Sequence, residues 1–420
     1  MSSPALITPL RRPVEAVVRP PGSKSFTNRA LVTAALARGG VSRLLGTLEA
    51  RDTQAMREGL GLFGVSIDDA DDPWLVLGSG GRLDGPHTPI DAAESGTTAR
   101  FLAALAPLAA GRTEIIGKGR LPRRPFRELT DALSSLGVEA QASDGGLPLS
   151  ITGTGKLPGG RVEVDPSRSS QFVTALLLVA PMASEPLQIE MTRTPVSAPY
   201  LDSTVEVMTS FGAAVERDGL CFRVANTGYQ PTHYEVEADA SAAAYPLVAA
   251  AITRGRVGIE GIPAGSTQPD LALVDVLALM GCQVRRGDHR LELVGPERLE
   301  PVDVEMERAP DAALALAVAC LFANGPSRIR KVGSLRLKES DRLAALQEEL
   351  TRVGGQAHVE GDDLLVIPGE LRAATVDSHG DHRIAMAMAL VGLRQPGIEI
   401  ADPIVVEKTW PRYFEVLSSL

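Results

Sequence analysis

Aromatic residues are scarce in this chain of 420 residues: Phe, Trp and Tyr together make up 4%, and there are only two tryptophans. Hydrophobic residues still account for 44%, so a core of ordinary size has to be built from Ala, Leu and Val. Cysteine is scarcer still. Cys221, Cys282 and Cys320 are odd in number and show no CxxC or metal-ligand spacing, which excludes a disulfide framework and implies a reducing compartment. Positive charge is in deficit, with 42 Lys and Arg against 52 Asp and Glu and a net charge of −10. A basic nucleic-acid-binding surface is not expected on such a chain. A small anionic substrate is compatible with it, because a cationic cleft can sit inside an acidic shell. Long apolar runs are missing too: Ala312 to Ala323 is too short to span a bilayer and reads as a buried helix. The opening MSSPALITPLRR lacks the apolar stretch of a signal peptide. The expectation is a soluble cytoplasmic protein, with neither nucleic acid nor membrane as a partner.

The length favours two or three domains, and a long repeat organises them. A short Val-rich strand, a polar turn and an Ala/Leu-rich helix recur, the helices opening at Ser23, Ser95, Ser169, Ser241, Asp311 and His382. The intervals are 72, 74, 72, 70 and 71 residues. A second helix in each block ends on an apolar-Gly signal, at Gly64, Gly137, Gly212, Gly281 and Gly354, where glycine tolerates the left-handed stop. Two short strands follow, as in VSIDDADDPWLVLG and QAHVEGDDLLVI. Each block therefore reads as βαβαββ in an α/β fold. The sixth is truncated after its second helix, and its missing strands are expected from ALITPL and VEAVV at the N-terminus. Six blocks divide into two globular domains of three, residues 21–238 forming one and 1–20 with 239–420 the other.

Helix N-termini expose unpaired N–H groups and attract phosphate and carboxylate. Here they carry Lys24, Ser25 and Arg29; Gly96, Thr97 and Arg100; Ser169, Ser170 and Gln171; Asp311; and His382 with Arg383. Arg124, the run Lys338-Glu339-Ser340-Asp341-Arg342 and Lys408 lie in other turns. GSKS is not a Walker loop, since no glycine stands at the required spacing before Lys24. His382 has no HxxxH or HExxH partner, so no zinc site is expected.

PGSKSFTNRALVTAALARG, SGTTAR, RRPF, SRSSQFVTALLLVAP, SAPYLDSTVEVM, PDAALALAVACLFANG, LKESDRLAAL, GDHRIAMAMAL and EKTWPRYF follow one another along the chain. In this order they closely resemble the 5-enolpyruvylshikimate-3-phosphate synthase family. The resemblance implies two domains of three βαβαββ units each (an inside-out α/β barrel), with the active site in the cleft between them. It also implies a monomer that joins phosphoenolpyruvate to shikimate 3-phosphate and releases phosphate without metal or organic cofactor. By the same resemblance Lys24 touches both substrates, and Ser25 and Arg29 hold the shikimate carboxylate. Ser169, Ser170, Ser197 and Lys338 hold its phosphate, with Ser334 where the family often has Asn. Gln171 bridges the ligands and Tyr200 packs near the ring. Gly96, Arg124, Arg342, Arg383 and Lys408 match the phosphoenolpyruvate positions, and Asp311 and Glu339 the acid/base carboxylates. Charge balance agrees: two phosphates and two carboxylates carry roughly −5 to −6, facing seven Lys and Arg among these residues.

Glu94, where the family often has Asn, and Phe101 border the phosphoenolpyruvate loop and depart from the family's usual residues. Two rivals remain in view. A UDP-N-acetylglucosamine enolpyruvyl transferase shares the fold, but its GxKNA and loop cysteine are missing here. A non-catalytic binder of phosphorylated metabolites would not need both carboxylates.

Overall fold

The apolar stretches identified above become helices buried on every side. In the computed structural model, which describes residues 3–288 and 290–420, each block contributes two helices. They are α1 (Lys24–Leu36) and α2 (Arg51–Leu62), α3 (Gly96–Leu105) and α4 (Arg127–Ser135), and α5 (Gln171–Val179) and α6 (Pro199–Ser210). The later blocks give α7 (Ala240–Thr253) and α8 (Ala272–Leu279), α9 (Ala313–Cys320) and α10 (Arg342–Arg352), and α11 (His382–Gly392) and α12 (Tyr413–Ser419). The first helix of each block starts within two residues of its expected position, behind Ser23, Ser95, Ser170, Asp239, Ala312 and Asp381. Short polar side chains fix several starts: Ser95 Oγ accepts from the Thr98 N–H and Asp239 Oδ1 from the Ala242 N–H. The five glycines that end second helices have φ between 80° and 106°, a conformation a side chain would strain.

The chain divides into two compact units, Gly22–Val236 and the stretch up to Pro21 joined with Glu237–Leu420. In the first, α1, α3 and α5 pack on one another; in the second, α7, α9 and α11 do the same. All residues of α9 are buried, as the run from Ala312 required. Cys320 on that helix is buried with its thiol pushed up to about 12 by desolvation. Helices such as α4 bury one face, through Leu129, Thr130, Ala132 and Leu133, and show the other to solvent.

Five sheets have four strands and one has three, among the described residues. The rule is constant: a leading strand pairs in parallel with the strand between the helices, which pairs antiparallel with the block's last strand. Two leading strands are exchanged relative to the sequence reading. Glu15–Val18, expected to help complete the sixth block, instead lies parallel to Arg256–Glu260 of the fourth. His233–Glu235, which precedes α7, lies parallel to Val41–Leu45 of the first. The sixth block receives only Ala5–Leu6, antiparallel to Ile398–Ile400, and its sheet stops at three strands. The alternating pattern fixes that VEAVV is a strand, but a parallel partner more than two hundred residues away leaves no local mark.

Candidate active site

In the unit Gly22–Val236, α1 carries Lys24, Ser25 and Arg29 in its first turns. Lys24 Nζ lies 3.1 Å from Asp52 Oδ2 at the buried start of α2. Arg29 is almost wholly buried: its Nε donates to Thr204 Oγ1 on α6 at 2.9 Å, and its NH groups donate to the Ser25 and Tyr200 carbonyls at 2.8 and 3.2 Å. Burial lowers the guanidinium to about 10, still charged at neutral pH. These bonds tie the start of α1 to the start of α6, where Tyr200 and Ser197 stand. Ser197 is buried with φ 53°, a left-handed backbone unusual for a residue with a side chain.

A second set gathers over the start of α3. A Cβ built on Gly96 would lie 2.6 Å from Arg100 NH1 and 2.7 Å from Arg124 NH1, so glycine leaves room for both guanidiniums above the helix N-terminus. Helix dipole and two cations thus point at one spot, an arrangement suited to an anion. Arg100 is fully buried between Phe126 and Phe172, 4.6 and 5.2 Å from their ring centroids. It donates to the Gly96 carbonyl (3.2 Å), the Pro125 carbonyl (2.8 Å) and Gln171 Oε1 (2.8 Å). Gln171 Nε2 in turn donates to Thr97 Oγ1, and its backbone N–H to Ser169 Oγ. Ser170 is the buried cap of α5. Arg100 therefore positions Gln171, a role the sequence did not single out. Lysine has no fork to reach three acceptors, so Arg100→Lys should cost about 1–3 kcal/mol, checked by urea unfolding.

In the unit containing both termini, one guanidinium organises the charges. Arg342, 1% exposed, donates from NH1 to Asp311 Oδ1 (2.9 Å), from NH2 to Glu339 Oε2 (2.9 Å), and from Nε and NH2 to the two oxygens of Asp381 (2.7 and 3.1 Å). Burial opposes its charge, but Asp381, Glu339 and Asp311 together hold it above the usual arginine range. Lys338 Nζ and Arg383 NH2 lie 3.5 and 3.4 Å from the Asp311 carboxylate. Burial would raise Asp311, yet Lys338, Arg383 and Arg342 hold it well below the usual carboxylate range. Asp381 is fully buried, accepts from Ser340 Oγ at 3.0 Å and caps α11 through the Arg383 N–H at 2.9 Å.

Asp311, Lys338, Glu339, Arg342 and Arg383 are thus brought into one cluster. Lys408 is buried at the end of the short helix Pro403–Lys408, which packs on α11. Ser334 Oγ, in the turn Gly333–Leu337, is buried and has no hydrogen-bond partner among the described residues. Glu94 is exposed and its carboxylate lies over Gly119, while the ring of Phe101 is buried with its centroid 5.7 Å from the Arg29 guanidinium carbon. Asp381 and Asp52, the partners of Arg342 and Lys24, are not among the residues the sequence reading named. The one available signal was the Asp before His382, an ordinary helix cap.

The EPSP synthase (3-phosphoshikimate 1-carboxyvinyltransferase) family model matches residues 10–417. A 3-phosphoshikimate 1-carboxyvinyltransferase of Pseudomonas syringae pv. syringae is 38% identical over 422 residues, spanning 99% of this chain and 97% of that protein. One from Tolumonas auensis is 40% identical over 424 residues, spanning 99% and 98%. Among solved structures, an EPSP synthase from Acinetobacter baumannii superposes with a TM-score of 0.84 at 25% identity, covering 100% of this chain and 98% of that one. The enolpyruvyl transferase NikO from Streptomyces tendae, at 18% identity and a TM-score of 0.78, shares the fold.

Proposed function

The chain belongs to the EPSP synthase family, and on that premise we propose how its own residues carry the family's reaction. The enzyme is a carboxyvinyl transferase of the shikimate pathway: the enolpyruvyl group of phosphoenolpyruvate passes to the 5-hydroxyl of shikimate 3-phosphate, and phosphate is released. Glu339 gives a proton to the methylene carbon of phosphoenolpyruvate while the 5-hydroxyl oxygen attacks the neighbouring carbon and yields its proton to Asp311. The tetrahedral adduct then expels phosphate, which carries off the proton that Asp311 had taken, as Glu339 takes a proton back from the methyl carbon and the double bond is restored.

The observation that carries this reading is that Asp311 and Glu339 each lie 2.9 Å from the same buried Arg342. Three cations hold Asp311 ionised but also weaken it as a base. Binding corrects this: Lys338 turns to the shikimate phosphate, Arg342 and Arg383 turn to the phosphoenolpyruvate carboxylate, and the Asp311 carboxylate regains basicity. Lys24 and Lys408 meet the departing phosphate as point charges, and Arg124 over Gly96 receives it at the start of α3. Ser25 and Arg29 hold the shikimate carboxylate, Ser169, Ser170, Ser197 and Ser334 its phosphate, Gln171 bridges the ligands, and Tyr200 lies beside the ring. The same reading makes the enzyme a cytoplasmic monomer, which sedimentation of the pure protein checks for the second term.

Phosphate release is the deciding assay. It should require phosphoenolpyruvate and shikimate 3-phosphate together, and UDP-N-acetylglucosamine should not replace the acceptor. Silence with a folded protein and both substrates would move the reading to a binding role.

A further inference from the structure

The second half of α10 holds a buried carboxylate that the reaction above does not use. Glu349 is fully buried, seven residues beyond Arg342 on the same helix. Its Oε1 lies 3.0 Å from His379 Nε2. Its Oε2 accepts from the Asp377 N–H at 3.2 Å and from Arg352 Nε at 2.9 Å. The bonds to His379 and Asp377 both go to one tight turn, Asp377–Asp381. Within that turn the His379 N–H donates to Asp377 Oδ1 (2.7 Å) and the Asp381 N–H to the Ser378 carbonyl (2.8 Å). His379 has φ 51° and Gly380 φ 66°, two consecutive left-handed residues that aim the His379 ring back at α10. The turn ends on Asp381, which grips Arg342 at the front of the same helix. Glu348, Glu349 and His379 lie close enough to hold a metal ion, but Arg352 reaches both carboxylates and supplies the positive charge itself.

We propose that Glu349 is a positioning residue: with His379 it fixes the turn that aims Asp381, and through Asp381 it sets the Arg342 guanidinium and the start of α11, which carries Arg383, for the phosphoenolpyruvate carboxylate. The inference rests on the assignment of those arginines to phosphoenolpyruvate. α10 and the turn are joined at two points, Arg342 with Asp381 and Glu349 with His379 and Asp377. Removing the second joint unties the turn before Asp381 from α10 and leaves its carboxylate held by Arg342, Ser340 and the Arg383 N–H. Weakening an interaction made equally in the ground and transition states raises KM with little change in kcat, and here on one substrate only.

The test compares Glu349→Ala, Glu349→Gln, His379→Phe and Arg342→Lys in steady-state assays with each substrate varied. Glu349→Ala should raise KM for phosphoenolpyruvate about tenfold and leave that for shikimate 3-phosphate within about twofold. Glu349→Gln keeps an acceptor for the Asp377 N–H and should restore KM to within about threefold of wild type. His379→Phe breaks one bond at a partly exposed position and should raise the same KM about threefold, which decides the matter if Glu349→Ala does not fold. A folded Glu349→Ala or His379→Phe enzyme with both KM values unchanged, beside an Arg342→Lys enzyme whose phosphoenolpyruvate KM has risen, overturns the inference alone. So does a change of equal size for both substrates. An Arg342→Lys enzyme with normal phosphoenolpyruvate KM overturns the assignment of the arginines, and the inference with it.

Discussion

Glu339→Gln and Asp311→Asn should each lower kcat about 10²–10⁴-fold, the range for loss of a positioned proton-transfer group. The two should differ in KM. On the proposed assignments Asp311 competes with substrate for Lys338, Arg342 and Arg383, all within 3.5 Å of its carboxylate. Removing its charge frees those cations for anions, so Asp311→Asn should bind both substrates more tightly while turning them over slowly. Glu339 draws on Arg342, at 2.9 Å, and its amide variant should change KM less. Phosphate release at varied substrate measures both, and near-normal turnover in either folded variant would refute that residue's assignment. The same aspartate carries a pH signature. Its folded carboxyl is held below its unfolded value, near 3.9, so its stabilising effect is fully present above that value and fades as pH falls through the folded one. Unfolding curves of wild type and Asp311→Asn should therefore differ at neutral pH and converge in strong acid.

The largest stability loss is expected at Asp381. Its carboxylate takes two bonds from Arg342, one from Ser340 and one from the Arg383 N–H, and both it and Arg342 are withdrawn from water. Asp381→Ala leaves the guanidinium with Asp311 and Glu339 alone and removes the cap of α11. Breaking a buried pair from one side costs about 3–5 kcal/mol, because the remaining charge is desolvated with less to face. Asp381→Asn keeps acceptors for the cap and should lose less. Urea midpoints of the three proteins provide the measurement, and an alanine variant as stable as wild type would contradict the account.

What could be read beforehand divides along the range of the interactions. The blocks were legible because helix caps, glycine stops and apolar periods are local, and Ser95 and Gly354 announce their roles in their own neighbourhoods. Strand exchange was not, since nothing in EAVV distinguishes Arg256–Glu260 from any other parallel partner. The site divides in the same way. Lys24, Arg29 and Arg342 stand in motifs that resemble a known family. Asp52, Arg100, Glu349 and Asp381 act through residues 28 to 71 positions away and have only ordinary local signals. Glu349 stands beside Glu348 in a polar stretch of α10, and nothing local says which of the two is buried.

The exchange of leading strands also orders events on the ribosome. The unit Gly22–Val236 has every strand of its three sheets once Glu235 has been synthesised. Glu15–Val18, made near the outset, has no sheet to join until Arg256–Glu260 emerges. At about 5–20 residues per second that delay is about 12–50 s. Ala5–Leu6 waits longer, for Ile398–Ile400. From the completion of that globule until Ile398–Ile400 is made, Ala5–Leu6 stays unpaired ahead of it and is among the last strands to be secured. A nascent-chain chaperone would find its substrate there, and a fusion partner placed at that end would hang from the segment that is slowest to lock.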